Sequence, residues 1–197
     1  MTPLTQEALQ RDFYERNTKA VARDLLGKRL VRRLEGEALE GIIVETEAYY
    51  GLRDPASRAY SGVKEYNRLM WGEPGRVFIY NVHRYWMLNV VAHEPGDVGA
   101  VLIRALEPTA GIDVMLANRS VPETRELTSG PGKLTMALGI DKRLHEADVT
   151  EGGGRVYIAS EVREIEVGTS HRIGVTTDLP EELRFYVRGN PYLSRRR

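Results

Sequence analysis

Residues 39–50 read LEGIIVETEAYY, and this stretch decides the fold. Its first half is largely apolar, and its second half alternates Glu45, Glu47 and Tyr49 with smaller residues. This period of two predicts a β-strand. The preceding KRLVRRL, residues 28–34, has the same strand character, and the EGE that follows it is typical of a tight turn. The two segments therefore predict an antiparallel hairpin within a larger sheet.

Apolar runs and turn residues elsewhere predict a sheet accompanied by a few helices. Further strands are expected at 76–82, 85–91 and 99–108, with shorter ones near 155–158, 162–167, 171–175 and 184–188. Helices are expected at 6–16 behind a Thr5 cap, behind a Thr18 cap up to a stop at Gly27, at 109–119, and from Pro131 within 129–140. Residues 51–75 are rich in loop-forming residues. Together the elements predict an α+β fold: a single mixed domain, residues 1–197, with a curved, mainly antiparallel sheet and flanking helices.

Composition narrows the classes of function. Of the 197 residues 42% are apolar, enough for one hydrophobic core of ordinary size. Cysteine is absent, which excludes disulfides, thiolate zinc sites and cysteine nucleophiles. The four histidines form no HxxH or HxxxH pair, so no metal is expected. The polar N-terminus is unlike a secretory signal and no apolar run is long enough to span a bilayer, so no membrane partner is expected.

The charges balance overall but are unevenly distributed. There are 28 basic and 28 acidic residues, so the total gives no bias towards nucleic acid. Residues 184–197, however, hold five arginines and no acid, and they end in three consecutive arginines. This run is either a solvated tail or a patch that faces phosphates.

The two glutamates of VETEAY also have two interpretations. Alternating glutamates are typical of the solvent face of an antiparallel strand. Alternate residues lie about 6–7 Å apart along a strand, so Glu45 and Glu47 can also form a carboxylate pocket that divides acid and base work. Tyr49 beside them can stack on a planar ligand. An O-glycosidase with a pair of carboxylates is one enzyme of this kind.

Two other features suit a nucleic acid. In SGPGKL, residues 129–134, the N–H groups at a helix start and the charge of Lys133 suit a phosphate, although a tight turn explains the same residues. Aromatic residues and arginines interleave along residues 49–86, as they do in surfaces that stack bases and hold phosphates. Aromatic packing in the core is the other explanation.

Several segments together resemble one family. They are LLGKRLVR (25–32), GIIVETEAYYG (41–51), DPASRAYSG (54–62), NRLMWGEPG (67–75), GAVLIRALEP (99–108), SGPGKL (129–134), RIGV (172–175) and LRFYVRGNP (183–191). In their order and separations they are similar to the alkyladenine (3-methyladenine) DNA glycosylase family over residues 11–194.

The resemblance implies a single α+β domain that hydrolyses the N-glycosidic bond of damaged purines flipped out of double-stranded DNA. It implies a monomer that needs neither cofactor nor metal. No lysine lies beside Glu47 in the motif, so the expected product is an abasic site. In a prokaryotic source the protein is expected in the cytoplasm, associated with the nucleoid.

Matched by position, the resemblance gives a role to each residue of the site. Glu47 is the expected general base, which deprotonates a water that Arg104 and the main-chain carbonyl of Ile173 help to hold. Tyr49 and Tyr80 are the expected walls of the base pocket.

Further roles follow from the same match. Asn89 is expected to crowd the exocyclic amine of normal guanine, and Arg58 to lie against the flipped base. Glu45 is expected to be structural and to orient a neighbouring arginine. The residues expected to contact DNA are His83, Arg84, Lys133 and Arg188.

Two places depart from the family pattern. Arg58 stands where histidine is usual, and its fixed positive charge disfavours a cationic base. His83 and Arg84 stand where a tyrosine wedge and a glycine are usual, so the hairpin tip is altered. We therefore expect neutral lesions such as hypoxanthine or ethenoadenine to be favoured over cationic methylpurines. A non-catalytic binder of damaged or distorted nucleic acid on the same scaffold is the alternative function.

Overall fold

The computed structural model describes residues 7–194, which form a curled antiparallel β-sheet with helices packed against it. The α+β class predicted from the sequence is confirmed. The strands of this part of the chain are β1 (Arg29–Leu34), β2 (Glu37–Tyr50), β3 (Val77–Val82), β4 (Tyr85–Val91), β5 (Gly99–Ala110), β6 (Val156–Ala159), β7 (Val167–Ser170) and β8 (Arg184–Val187).

Strand β2 organises the sheet, as its sequence predicts. The strand order is β3-β4-β5-β2-β1-β6, and β5 pairs along most of β2. On its other edge β2 pairs first with β1 and then, around Glu45–Glu47, with β8, which in turn pairs with β7. The β1–β2 turn consists of Glu35 and Gly36, whose φ angles of 52° and 90° are both positive. Two positive φ angles are the mark of the tight turn that matches the twist of a hairpin.

An irregularity in β2 decides which residues face which side. The register with β5 shifts between Ile43 and Glu45 and again between Glu45 and Thr46. Ile43 and Ala48 both belong to the main core although they are five positions apart, so the period of two must be interrupted between them. The bulge at Val44 supplies this interruption and turns the VETEAY glutamates towards the opposite face.

The two faces of the sheet have separate cores. The larger core packs against the helices, which within residues 7–194 are α1 (Arg11–Tyr14), α2 (Thr18–Asp24), α3 (Ile112–Arg119) and α4 (Pro131–Ala137). None of them is both long and apolar enough to cross a bilayer. The smaller core, on the other face, contains Met70, Phe78 and Ala100 and is covered by the 51–75 segment. That second face carries the site described below.

The N-terminal helix is much shorter than predicted. The spacing of Leu9 and Phe13 fits a helix over 6–16, but only α1 is helical, because Ala8 bridges Ala159 and the Leu9 N–H donates to the Ile158 carbonyl at 2.8 Å. The predicted Thr5 cap lies outside the described residues, as do the last three arginines of the basic C-terminal run.

The cap of α2 was also predicted one residue late. Asn17 caps the helix through its side chain, which accepts from the Lys19 N–H at 3.1 Å. Thr18 is the first helical residue, and its hydroxyl donates instead to the Ala92 carbonyl at 2.8 Å.

One predicted strand and one helix start were misplaced, and a second predicted strand is absent. The strand predicted at 162–167 begins only at Val167, and helix α3 begins at Ile112 because β5 continues through Ala110. The strand predicted at 171–175 does not exist. Its backbone is held as a loop by the ion pairs of Arg172, and this loop closes one side of the site.

Candidate active site

One row of paired residues crosses the second face of the sheet. The row runs through β3, β4, β5, β2 and β8, in the order Phe78, Asn89, Leu102, Glu47 and Arg184. Residues directly opposite one another on antiparallel strands point to the same side of the sheet. Glu47 therefore faces the same side as Asn89 and Phe78.

Glu47 is buried and held by three donors. Its side chain has no exposed surface. The main-chain N–H of Ile173 donates to Oε1 at 2.7 Å. The Tyr49 hydroxyl donates to Oε2 at 2.8 Å, and Arg104 Nη1 donates to the same oxygen at 3.1 Å. The interpretation of VETEAY as a solvent face is therefore wrong, and the strand carries a buried carboxylate.

The two oxygens of Glu47 differ in what they can still accept. A carboxylate offers about four lone-pair positions, two on each oxygen. Oε2 already accepts from Tyr49 and Arg104, whereas Oε1 accepts only from Ile173. A proton taken up by Glu47 therefore has its free position on Oε1, on the side where the Ile173 loop lies.

Glu45 is enclosed by cations and by the C-terminal segment. Its Oε1 accepts from Arg104 Nε at 3.0 Å, from Arg184 Nε at 2.7 Å and from the Ser194 hydroxyl at 2.6 Å, and its Oε2 accepts from the Ser194 N–H at 2.6 Å. Burial alone would raise the pKa of Glu45, but Arg104 and Arg184 lower it overall. A carboxylate surrounded in this way cannot serve as the second catalytic group of an O-glycosidase, so that alternative loses one of its two carboxylates.

Arg104 connects the two glutamates. Its Nε contacts Glu45, its Nη1 contacts Glu47 and its Nη2 donates to the Ser194 hydroxyl at 3.3 Å. Burial opposes the charge of Arg104, but Glu47 and Glu45 raise its pKa overall. A guanidinium has about five N–H groups, so Arg104 keeps N–H groups beyond these three contacts.

Nothing in the sequence indicated that Arg172 has a role in the site. Its side chain is fully buried and contacts Asp54 at 2.7 and 2.8 Å and Asp178 at 2.6 Å, and Nη1 donates to the Ala48 carbonyl at 2.9 Å. Burial opposes its charge, but the two carboxylates raise its pKa. Arg172 therefore fixes the loop whose next residue, Ile173, contacts Glu47.

Tyr49 and Tyr80 each carry a guanidinium over the ring. Arg172 lies 4.5 Å from the Tyr49 ring centre, and Arg58 lies 4.6 Å from that of Tyr80. Burial raises the pKa of both tyrosines; Glu47 adds to each rise, whereas Arg58 opposes that of Tyr80. Both rings are thus neutral aromatic surfaces beside the buried acid.

Asn89 is fixed by the backbone. Its side-chain Nδ2 donates to the carbonyls of Phe78 and Met87, at 3.1 and 3.2 Å. The amide nitrogen is thereby committed, which leaves the carbonyl oxygen as the polar atom free for a ligand. Its role in rejecting guanine stays a prediction.

The hairpin tip predicted to touch DNA is exposed. His83 has a positive φ of 53°, and Arg84 lies beside the Tyr85 ring and donates to the Tyr85 hydroxyl at 3.0 Å. That ring also explains a glycine of SGPGKL, because a Cβ at Gly132 would lie 2.9 Å from the Tyr85 Cγ. Close packing on the Tyr85 ring therefore accounts for Gly132 without a phosphate.

The other two predicted DNA contacts are already paired. Lys133 forms an ion pair with Glu126 and donates to the Ser129 hydroxyl at 3.3 Å. Arg188 is half exposed and pairs with Glu166 at 3.2 Å. Contact of either residue with DNA stays a prediction.

Acid should weaken the fold through Glu45 and Asp178. Burial alone would raise both pKa values, but the neighbouring arginines hold the pKa of Glu45 below its ordinary 4.5 and that of Asp178 below its ordinary 3.8. Such groups add stability that is complete above the unfolded pKa and is lost as the pH falls through the folded pKa. We therefore expect the free energy of unfolding, from denaturant titrations, to fall steadily below about pH 4.5. An equal free energy at about pH 7 and about pH 3 would contradict this.

Comparison with known proteins agrees with the geometry. The family model described as "Methylpurine-DNA glycosylase (MPG)" matches residues 12–191. A protein of Aeropyrum pernix is 41% identical over 192 residues, which covers 96% of this chain and 94% of the relative. A protein of Carboxydothermus hydrogenoformans is 43% identical over 191 residues, covering 95% of this chain and 99% of the relative. Both carry the name "Putative 3-methyladenine DNA glycosylase". The resemblance seen in the sequence is confirmed: the chain belongs to the methylpurine-DNA glycosylase family.

Proposed function

We propose that this chain is a DNA-3-methyladenine glycosylase, an N-glycosyl hydrolase of base excision repair that acts on alkylated or deaminated purines in double-stranded DNA. Its family and the names of its relatives support the reaction class. The observation that carries the mechanism is the buried Glu47, which three donors orient and which keeps a lone pair on Oε1. We further propose that the protein acts as a monomer without cofactor or metal and, in a prokaryotic source, in the cytoplasm with the nucleoid.

In the proposed reaction a water molecule attacks C1′ of the flipped nucleotide. The water oxygen bonds to C1′, one water proton passes to Oε1 of Glu47, and the bond from C1′ to the base nitrogen breaks with its electron pair leaving on the base. A cationic methylpurine then leaves as a neutral base, whereas a neutral purine leaves as an anion that takes up a proton from solvent water. General base catalysis of this kind contributes about 10²–10⁴-fold to the rate.

The neighbours of Glu47 have supporting roles in this proposal. Tyr49 and Arg104 occupy Oε2, so the carboxylate cannot rotate its free lone pair away from the water. The N–H groups that Arg104 retains, together with the Ile173 carbonyl, can hold the water itself. Within residues 7–194 no contact of Glu47 involves a lysine that could form a Schiff base, so we expect hydrolysis alone and an abasic product.

The base pocket follows from the aromatic residues. Tyr49 and Tyr80 offer faces for stacking, which tolerates many bases and contributes about 1–3 kcal/mol per base. Flipping costs a few kcal/mol and costs least for a damaged base. Both terms favour removal of poorly paired purines over normal ones, and Asn89 is proposed to add discrimination against guanine.

The test of this function uses duplexes that each hold one defined lesion. After incubation with the protein, alkaline cleavage detects any abasic site. Cleavage at the lesion position, and none in the undamaged duplex, is expected. Binding of the damaged duplexes without any cleavage would reject the enzyme and support the alternative, a non-catalytic binder of damaged nucleic acid.

The charge of Arg58 is expected to set the range of lesions. Arg58 lies 4.6 Å from the Tyr80 ring and, among residues 7–194, forms no ion pair with a carboxylate. A cationic base stacked on Tyr80 would meet this unneutralised charge, so wild-type protein should excise hypoxanthine faster than 7-methylguanine. Arg58→Gln should shift the ratio about tenfold towards 7-methylguanine, the size expected for one partly screened charge.

Arg53→Gln is the matched control for Arg58. Arg53 belongs to the same segment and also lies over an aromatic ring, that of Tyr50, at 5.3 Å. The Arg53→Gln variant should leave the ratio of the two excision rates unchanged. An equal or reversed lesion preference in the wild-type protein, or the same shift in both variants, would reject the role of Arg58.

A further inference from the structure

The C-terminal segment reaches into the centre of the site through Ser194. This residue is buried, although it is the last that the structure describes. Its N–H and its hydroxyl each donate to Glu45, both at 2.6 Å, and its hydroxyl accepts from Arg104 Nη2 at 3.3 Å. Ser194 therefore contacts Arg104, which bonds to the proposed base, and Glu45, which bonds to Arg104.

The segment is anchored before it reaches Ser194. Tyr192 and Leu193 pack on the small cluster formed by Ile42, Val44 and Ala105. One residue of this cluster, Val44, is the bulge of β2. The irregular strand pair thus provides the apolar seat for the segment, and it also turns the glutamates towards the site.

Arg104 needs such a brace because Glu45 and Glu47 compete for it. A guanidinium is a rigid planar fork, so fixing two of its nitrogens fixes the third. Glu45 fixes Nε and Ser194 fixes Nη2, and Nη1 is thereby aimed at Glu47. Without the Ser194 hydroxyl, Arg104 is free to turn about its contact with Glu45 and to weaken its contact with Glu47.

We infer that Ser194 is a positioning residue of the reaction: it holds Arg104 so that Glu47 keeps its orientation towards the water. The inference rests on the proposed function, because it assigns Ser194 an effect through the proposed base. A displacement of about 1 Å in such a site can cost about 10²-fold in rate. Ser194 should therefore influence the chemical step more than the binding of DNA.

The experiment compares Ser194→Ala, Ser194→Thr and the control Ser170→Ala. Alanine removes the hydroxyl and keeps the N–H to Glu45, whereas threonine restores the hydroxyl. The Ser170 hydroxyl accepts from Arg184 Nη1 at 3.0 Å and does not touch Arg104. Each variant is measured for its single-turnover excision rate and for its Kd on a lesion duplex. With folded enzyme in saturating excess over the duplex, the single-turnover rate constant does not depend on the enzyme concentration, so any unfolded fraction leaves the rate constant readable.

We expect Ser194→Ala to lower the single-turnover rate about tenfold or more while Kd changes less than about twofold. Ser194→Thr should recover most of the rate, and Ser170→Ala should match the wild type. The inference is overturned if Ser194→Ala excises at the wild-type rate, if its rate falls while its Kd rises by a similar factor, or if threonine does not restore the rate.

Glu47→Gln, measured in parallel, separates this inference from the function it rests on. If Glu47→Gln excises at the wild-type rate, the proposal that Glu47 is the general base is rejected. If Glu47→Gln is inactive and Ser194→Ala is fully active, only the proposed role of Ser194 is rejected.

Discussion

Replacing Glu47 by glutamine is expected to lower single-turnover excision about 10³-fold, within the range for losing a general base. Glutamine has nearly the same shape, so Tyr49 and Tyr80 should still bind the flipped base. Its amide cannot accept the proton of the attacking water, so the chemical step should fail while Kd for a lesion duplex changes little. The measurement pairs single-turnover rates with equilibrium binding on the same duplex.

Glu40→Gln is the matched control for this variant. Glu40 lies on the same strand, β2, and pairs with Arg29 at 2.9 Å, outside the site. It should excise at the wild-type rate. If Glu47→Gln kept that rate as well, the buried carboxylate would not be the base.

Replacing Arg172 by methionine is expected to destabilise the protein by about 3–5 kcal/mol, the cost of removing one partner from a buried ion pair. Asp54 has no exposed surface and would lose both of its contacts with the guanidinium, and Asp178 would lose its own. Activity should fall too, because the loop that aims the Ile173 N–H at Glu47 loses its anchor. Denaturant unfolding measures the first effect, and single-turnover excision of the folded fraction measures the second.

Arg188→Ala provides the comparison for Arg172. Its ion pair with Glu166 is exposed, and exposed pairs contribute about 0–1 kcal/mol. A loss of less than about 1 kcal/mol in Arg172→Met would show that the buried pair does not hold the fold together.

The sheet was predictable because its signals are local. Period-two alternation marked β2, and paired turn residues marked its hairpin with β1. The 6–16 helix failed because the spacing of Leu9 and Phe13 is compatible with a helix, whereas the backbone of Leu9 bonds to Ile158, far along the chain. Local spacing contains no information about such a partner.

The burial of the glutamates could not be read from VETEAY alone. Alternation produces the same pattern for a solvated face as for a pocket, and what buries Glu45 and Glu47 comes from remote residues. Ser194 closes over Glu45, and Ile173 donates to Glu47 from a loop that looked like a strand. The resemblance to a family supplied the proposed role of Glu47, but it did not supply Arg172, whose importance depends on carboxylates brought together only by folding.

The most direct test of the whole account is the stoichiometry of the products. A duplex with one hypoxanthine is incubated with an excess of protein, and free base, alkali-labile sites and strand breaks before alkali are counted. Hydrolysis by a water that Glu47 activates predicts free hypoxanthine and abasic sites in equal amounts, with intact strands until alkali is added. Strand cleavage without alkali would contradict the account. So would a protein that binds duplexes with hypoxanthine and with every other purine lesion but releases no base from any of them.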